Sequence, residues 1–263
     1  MKRGRKLRQA LSPWFTAAGL FLLWELGCRA FQVPQMILPA PSDAFAAMIQ
    51  FWPAIAEGAW QTLMTTLIGF VLALAFGTLL GVLVGASPGL YRAINPLMIG
   101  FNSIPKVAVV PVLVMWFGIG TVPAVLCAFL TAFFPIAVNV ATGIATLEPE
   151  LADVLRSLGA RRSVVLRKVA LPRAMPYLFA SLKIAITLAF VGSVVSEMVA
   201  SNAGIGYLLL TASSSFRVPL VFAALLVVGV LGIVMYAIAD AIEQRSTSWA
   251  RRGNAGGDIM AGG

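Results

Sequence analysis

The amino-acid sequence predicts an all-α membrane protein that crosses the bilayer six times, with both termini on the cytoplasmic side. Three observations carry this expectation. Of the 263 residues, 60% are hydrophobic and 11% charged, with a mean hydropathy of +0.92. A soluble domain is nearer 45–50% apolar and about 25% charged. Apolar runs of the length needed for membrane helices, about 20 residues, recur along the chain. The net charge of +9 is distributed in groups that fall between alternate runs. In a soluble protein that excess would point to nucleic acid. Here it marks cytoplasmic loops, and no nucleic-acid partner is expected.

The predicted spans are Pro13–Phe31, Trp60–Ala86, Lys106–Gly118, Thr121–Ala145, Pro176–Ala200 and Pro219–Ala241. Ser42–Glu57 and Tyr91–Ser103 read as interfacial helices, the former opening on the capping-type pair Ser42-Asp43. The first run follows a basic segment, residues 1–12, but is longer than a signal core and precedes no A-x-A site. It reads as a retained anchor. The basic groups then set the orientation. Lys2, Arg3, Arg5, Lys6 and Arg8 precede the first span, and Arg92 and Lys106 lie between the second and third. Arg156, Arg161, Arg162, Arg167, Lys168 and Arg173 lie between the fourth and fifth, and Arg245, Arg251 and Arg252 follow the sixth. Six crossings place all of these on one side, which the positive-inside rule makes cytoplasmic. The opposite loops hold only Arg29 and Arg217. Phe51, Trp52 and Trp60 fall at the outer interface, where aromatic belts form. Residues 246–263 read as a flexible cytoplasmic tail.

Composition also removes chemistry. The chain has no histidine, so zincin sites, Ser-His-Asp triads and haem ligation by histidine are excluded. Cys28 and Cys127 sit in apolar runs without metal-binding spacing and read as small packing residues. No lysine follows a glycine, so there is no P-loop. No metal and no cofactor is expected, and any ATP chemistry would belong to another chain.

Within the second span, Gly69, Ala73, Gly77, Gly81 and Gly85 recur every fourth residue. Such residues share one helix face. They make a small-residue ridge that permits close helix packing in lipid. The third and fourth spans carry Pro105, Pro111, Gly118, Gly120, Pro123 and Pro135. Irregular backbone at membrane depth is tolerated where it is buried in protein or lines a cavity. Broken helices also mark transport pathways. Lys106, beside Pro105, either belongs to such a path or snorkels to lipid headgroups.

Charged residues inside spans default to a pathway or a structural partner. Glu25 and Arg29 are spaced to pair on one face. Lys183 and Glu197, on the fifth span, are separated by about 21 Å along a helix and cannot meet. Lys106, Asn139, Lys183, Ser193 and Glu197 are the candidate pathway or gate residues. Ser201 to Tyr207, with Gly204 and Gly206, reads as an outer loop that turns at two glycines.

The longest basic loop, Glu148–Arg173, is the most specific feature. Pro149, Glu148 and Glu150 suit the first turn of a helix. Gly159 ends that helix, and Arg161–Val169 forms a second one that stops before Leu171-Pro172. A basic loop resting on anionic lipid does not need this glycine geometry, whereas a docking knob does.

This loop resembles the EAA loop of permease subunits of bacterial ATP-binding-cassette importers. That pattern is EAA, three residues, Gly, nine residues, Ile, one residue, Leu-Pro. Asp153 stands at the Glu place, Val154 and Leu155 at the alanines, Gly159 at the Gly, Val169 at the Ile, followed by Leu171-Pro172. The likeness extends to Leu38-Pro39-Ala40-Pro41-Ser42, Ile104-Pro105, Trp116–Gly120, and Glu197 with Gly204–Tyr207. These are similar to the nitrate, sulfonate, taurine and bicarbonate branch. The resemblance implies one permease domain over residues 1–263, with the type I importer fold and the coupling loop at 146–175. It implies a homodimer in the bacterial cytoplasmic membrane. Two ATPase subunits and an extracytoplasmic solute-binding protein are the implied partners. Asp153, Arg156, Ser157, Gly159, Ala160, Arg161, Leu171 and Pro172 are the implied ATPase-coupling residues. A small anion such as a sulfonate or nitrate is the implied substrate, with which Lys183 is compatible. An ion-driven secondary transporter is the alternative. It would need midplane charges and often an internal repeat.

Overall fold

The computed structural model describes residues 2–146, 154–155 and 157–246, and among these there is no strand. The helices are α1 (Lys2–Ala30), α2 (Pro41–Gln50), α3 (Trp52–Gly85), α4 (Pro88–Ser103), α5 (Lys106–Phe117) and α6 (Thr121–Ala145). The short α7 (Arg162–Val165) passes through a π-helical turn, Leu166–Ala170, into α8 (Leu171–Ala200). Then come α9 (Ile205–Ser214) and α10 (Val218–Ser246).

Four helical runs are long and apolar enough to cross a membrane: α3, α6, Leu166–Ala200 and α10. A bent pair, α4 with α5, makes up to a fifth, its halves meeting at 85°. The first expected span, inside α1, has sufficient length at 29 residues but falls short of the others in apolarity. The expected tail begins at the last described residue, Ser246, and 247–263 lie outside the described residues.

Several boundaries differ from expectation, and proline accounts for most of them. Ser42–Glu57 is not one interfacial helix. It divides at Phe51, and Pro53 in the first turn starts α3 eight residues earlier than Trp60. The third expected span is a helix of only 12 residues, about 18 Å long. It needs α4 before it to approach a crossing. The second loop helix does not stop before Leu171-Pro172. Helical backbone continues from the π turn at Leu166–Ala170 through Pro172 into the next helix, so Pro172 does not end the run although it has no N–H to donate to the turn before it. Gly206 lies within α9, so the outer loop turns at Gly204 alone (φ +100°).

The ridge of α3 decides the packing. A methyl group at Gly77, Gly81 or Gly85 would lie 2.7–2.8 Å from the carbonyl oxygens of Phe133, Ala137 and Ala141 on α6. At Gly69 it would lie 2.7 Å from Val125 O. Each step of four on α3 therefore matches a step of four on α6, and the glycines bring the two backbones into contact. Because both sets of numbers rise together, α3 and α6 run parallel. The chain between them must return across the same distance, and the bent α4–α5 pair makes that return. On its other side α6 packs antiparallel to α8. Gly143 meets Tyr177 and Ala174, while Gly192 meets Thr131 and Cys127 O. Thr131 Oγ1 also reaches Leu188 O, at 3.0 Å. The helix α6 is thus the centre of the bundle, with Ala128, Ala132, Ile136 and Ala137 fully buried.

At the other edge, α1 is tied to α2. The Arg29 Nε donates to Glu25 Oε1 at 2.6 Å, and Glu25 also accepts from Ser42 N–H and Oγ at 3.0 and 2.9 Å. The expected Glu25–Arg29 pair thus also caps the start of α2, where a negative charge is favoured. Asp43 reaches back to Ala40 N–H at 3.2 Å.

The ridge gives a direct test. Gly81→Ala is expected to destabilise the protein by about 1–3 kcal/mol, the usual cost of overpacking. Gly100→Ala on α4, where no atom lies within 4 Å, is the matched control and should not. Thermal unfolding in detergent compares the two. Equal midpoints would refute the backbone-contact account.

Candidate functional site

The described part of the loop between α6 and α7, expected to be cytoplasmic, is built around Gly159. The Leu158 N–H donates to Val154 O at 3.2 Å, and the Ala160 N–H to Leu155 O at 3.0 Å. The second bond spans five residues, as in a Schellman helix end, with Gly159 in the left-handed region at φ +82°. Ser157 Oγ donates back to Val154 O at 2.8 Å. Arg161 O then accepts from Val164 and Val165 to start α7. From there helical backbone runs through the π turn into α8 without a break. Leu171 and Pro172 begin α8. Asp153 and Arg156 lie outside the described residues, as do Glu148, Pro149 and Glu150.

Lys106 sits at the α4–α5 bend. Its ammonium donates to Phe101 O, Asn102 O and Ile104 O at 3.0, 3.0 and 2.9 Å. It also lies 5.3 Å from the centre of the Phe101 ring. The last carbonyls of a helix have no intrahelical partner, and a cation there also meets the negative end of the dipole. Lys106 therefore closes α4 from the first residue of α5 and holds the break between them. On α6, Asn139 Nδ2 donates to Pro135 O at 2.8 Å.

Lys183 is paired. Its ammonium lies 2.7 Å from Glu243 Oε2 and 3.1 Å from Asp240 Oδ1, both on α10. Asp240 is in turn held by Gln244 Nε2 at 2.6 Å. This cation fastens α8 to the end of α10. It is engaged by two carboxylates and does not face an open path alone.

Glu197 and Ser193 are brought together, and with residues the sequence expectation omitted. Thr62 Oγ1 donates to Glu197 Oε2 at 2.6 Å, and Thr65 Oγ1 to Oε1 at 3.1 Å. The Gly206 N–H adds a third donor at 3.1 Å. Ser193 Oγ lies 2.6 Å from Thr65 Oγ1 and 3.5 Å from the carboxylate. Glu197 is 1% exposed. A buried charge is tolerated when several hydrogen bonds converge on it. The carboxylate is turned into the contact between α3, α8 and α9. The five candidate pathway residues thus divide among a bend, a helix, an ion pair and one buried cluster.

The missed partners left traces. Thr62 and Thr65 are spaced i, i+3 in an apolar helix, and Asp240 and Glu243 likewise. A charge inside a span requires partners, and these pairs were the available ones.

Charge balance at Lys183 can be measured. Lys183→Met should lower the thermal midpoint in detergent, because it strands two facing carboxylates. Adding Asp240→Asn and Glu243→Gln should recover most of that loss. A triple variant no better than the single one would contradict the pairing.

Comparison with known proteins agrees with this architecture. The profile of the family described as binding-protein-dependent transport system inner membrane component matches residues 74–248. The riboflavin transport system permease protein of Chloroflexus aurantiacus is 34% identical, over 88% of this chain and 87% of that protein. The formylaminopyrimidine transport permease of Halalkalibacterium halodurans is 28% identical, over 93% and 98%. The taurine transport system permease of Escherichia coli is 27% identical, over 92% and 90%. In fold the chain is similar to the MetNI methionine ABC transporter in an inward-facing conformation. The TM-score is 0.64 at 23% identity, covering 74% of this chain and 97% of that one. The chain belongs to the binding-protein-dependent inner membrane component family: it is a multi-pass permease subunit of an ATP-binding-cassette importer in the cytoplasmic membrane, and not itself an enzyme.

Proposed function

We propose that this subunit works as a homodimer and couples to two separate ATPase subunits through Glu148–Pro172. An extracytoplasmic solute-binding protein delivers substrate on the other face. The path runs between the two copies, lined mainly by α5, α6 and α8. Closure of the ATPases moves the loop, and the loop moves the path. The observation that carries this reading is the junction of Gly159, α7, the π turn and α8. The loop ends in a fixed glycine turn, and the helix after it is the start of a span. Ser157, Gly159, Ala160 and Arg161 form the described part of the docking surface, completed by Asp153 and Arg156. Leu171 and Pro172 join it to the membrane.

For the substrate, two classes are in play. The anion class follows from the taurine relative and from the branch that the loops resemble. Its support within this chain was Lys183, and that charge is taken up by Asp240 and Glu243. The relatives named for riboflavin and formylaminopyrimidine favour a planar nitrogen heterocycle instead. Uptake into proteoliposomes holding the whole importer decides between them, with riboflavin, a formylaminopyrimidine, taurine and nitrate as competing probes. The ion-gradient alternative is disfavoured because Lys183 and Glu197 are both committed to internal partners.

Gly159 tests the coupling. A β-branched residue is disfavoured at positive φ, so Gly159→Val should distort the docking turn. Transport per ATP hydrolysed is expected to fall by about tenfold, the change that about 1–2 kcal/mol of docking energy produces. Wild-type transport by this variant would refute the coupling role.

A further inference from the structure

The far end of α8 gathers several segments at one carboxylate. Thr62 of α3 donates to Glu197 and at the same time accepts from the Ile205 N–H at 2.9 Å. Gly206 N–H donates directly to Glu197. The first two N–H groups of α9, which a helix cannot satisfy internally, are therefore taken up by α3 and α8. Packing closes the same place. A methyl at Gly204 would collide with the Glu197 carboxylate, and one at Gly206 would lie 2.8 Å from Glu197 Cβ. On α3, a methyl at Gly58 would lie 3.1 Å from Ile205 N. The turn before α6 joins as well, through Gly120 N–H to Ala200 O at 3.2 Å.

The near end of the same helix is the cytoplasmic loop. Leu166–Ala200 is one run of 35 residues, about 50 Å long. Its first third carries the π turn and Pro176, where a helix bends most readily, and the part from Tyr177 to Ala200 is uninterrupted helix. The body fastened at the far end is small: α9 has ten residues, about 15 Å, too short to cross. It packs inward through Ile205, Leu209 and Ala212 while Leu210 stays 41% exposed.

We propose that Glu197 is a positioning residue of the transport cycle: it fastens α9 to the tip of α8, so that movement applied at the cytoplasmic loop is delivered to α9 at the opposite face. The inference rests on the permease reading above. It explains why a charge stands where an apolar residue would pack more easily. Thr62 and the Gly206 N–H donate to one oxygen and Thr65 to the other, so a side chain with two accepting oxygens takes all three at once. Glutamine keeps the shape but replaces the oxygen that accepts from Thr65 with an amide N–H, so the Thr65 hydroxyl loses that acceptor. Thr62→Val would keep the carboxylate and break the link to Ile205.

The test uses the whole importer, with its ATPase and binding protein, in lipid nanodiscs. Cys28 and Cys127 are replaced by serine, and Leu210→Cys carries a spin label in each copy. In the otherwise wild-type complex the label-to-label distance should change between the nucleotide-free and Mg-ATP states. In Glu197→Gln and in Thr62→Val that change should shrink by at least half, with ATP hydrolysis within about twofold of wild type. A purely structural role would lower yield or stability without separating these two readouts. A distance change of wild-type size in both variants overturns the proposal. So does a wild-type complex in which Leu210 does not move with nucleotide. If Glu197→Gln does not assemble, Thr62→Val decides alone. A permease that binds no ATPase at all removes the underlying reading, and is recognised before any label is measured.

Discussion

Contact between the backbones of α3 and α6 organises everything else in this protein. Lipid offers little hydrophobic force to bring helices together, so association depends on close packing. Gly77, Gly81 and Gly85 remove the side chains that would hold the axes apart, and α6 carbonyls fill the space. Steps of four on the two helices match at one constant offset, from Gly69 against Val125 to Gly85 against Ala141. That register makes α3 and α6 parallel, and so requires a return crossing between them. It also leaves the opposite side of α6 free for α8, where Gly143 and Gly192 continue the same kind of packing.

A second constraint is that backbone polar groups in hydrocarbon have no water to turn to. Three breaks among the described residues are matched by polar side chains placed to serve them. Lys106 serves the carbonyls at the end of α4. Thr62 and Glu197 serve the N–H groups at the start of α9. Glu25 serves the start of α2. Lys183, Asp240 and Glu243 are spent differently, pairing between two helices away from any break.

What was legible in the sequence was local. The five-member ridge of α3 announces itself by its period, and the positive charges separate the runs. Proline was harder to read, because it both ends helices and begins them. Pro53 begins a helix, and running one interfacial helix through it, Ser42–Glu57, shortened α3; Pro172 continues a helix, and stopping before it detached α7 from α8. Partners distant in sequence were not legible. Lys183 signals a need for anions, but Asp240 and Glu243 become its neighbours only when α8 and α10 pack antiparallel. Glu197 likewise signals a need for donors. That Thr62 and Thr65 supply them depends on the crossing of α3 and α8. The resemblance seen in the sequence was carried by the loop around Gly159 and by short motifs between the apolar runs, stretches short enough to be recognised without knowing how the helices pack.

The π turn at Leu166–Ala170 has a consequence for how such a subunit changes over time. It holds one residue more than an α turn would, so the helical phase of the loop is offset from the phase of the span. The face that α8 offers to α6, set at Ala174 against Gly143, is thereby separated from the face that α7 offers to the cytoplasm. A residue gained or lost at this turn would rotate the preceding helix by about 100° relative to the span, and would also displace Leu166 and Ala170, which pack against the core. The π turn is therefore at once the joint that sets the angle of the loop and a part of the core that holds the span in place.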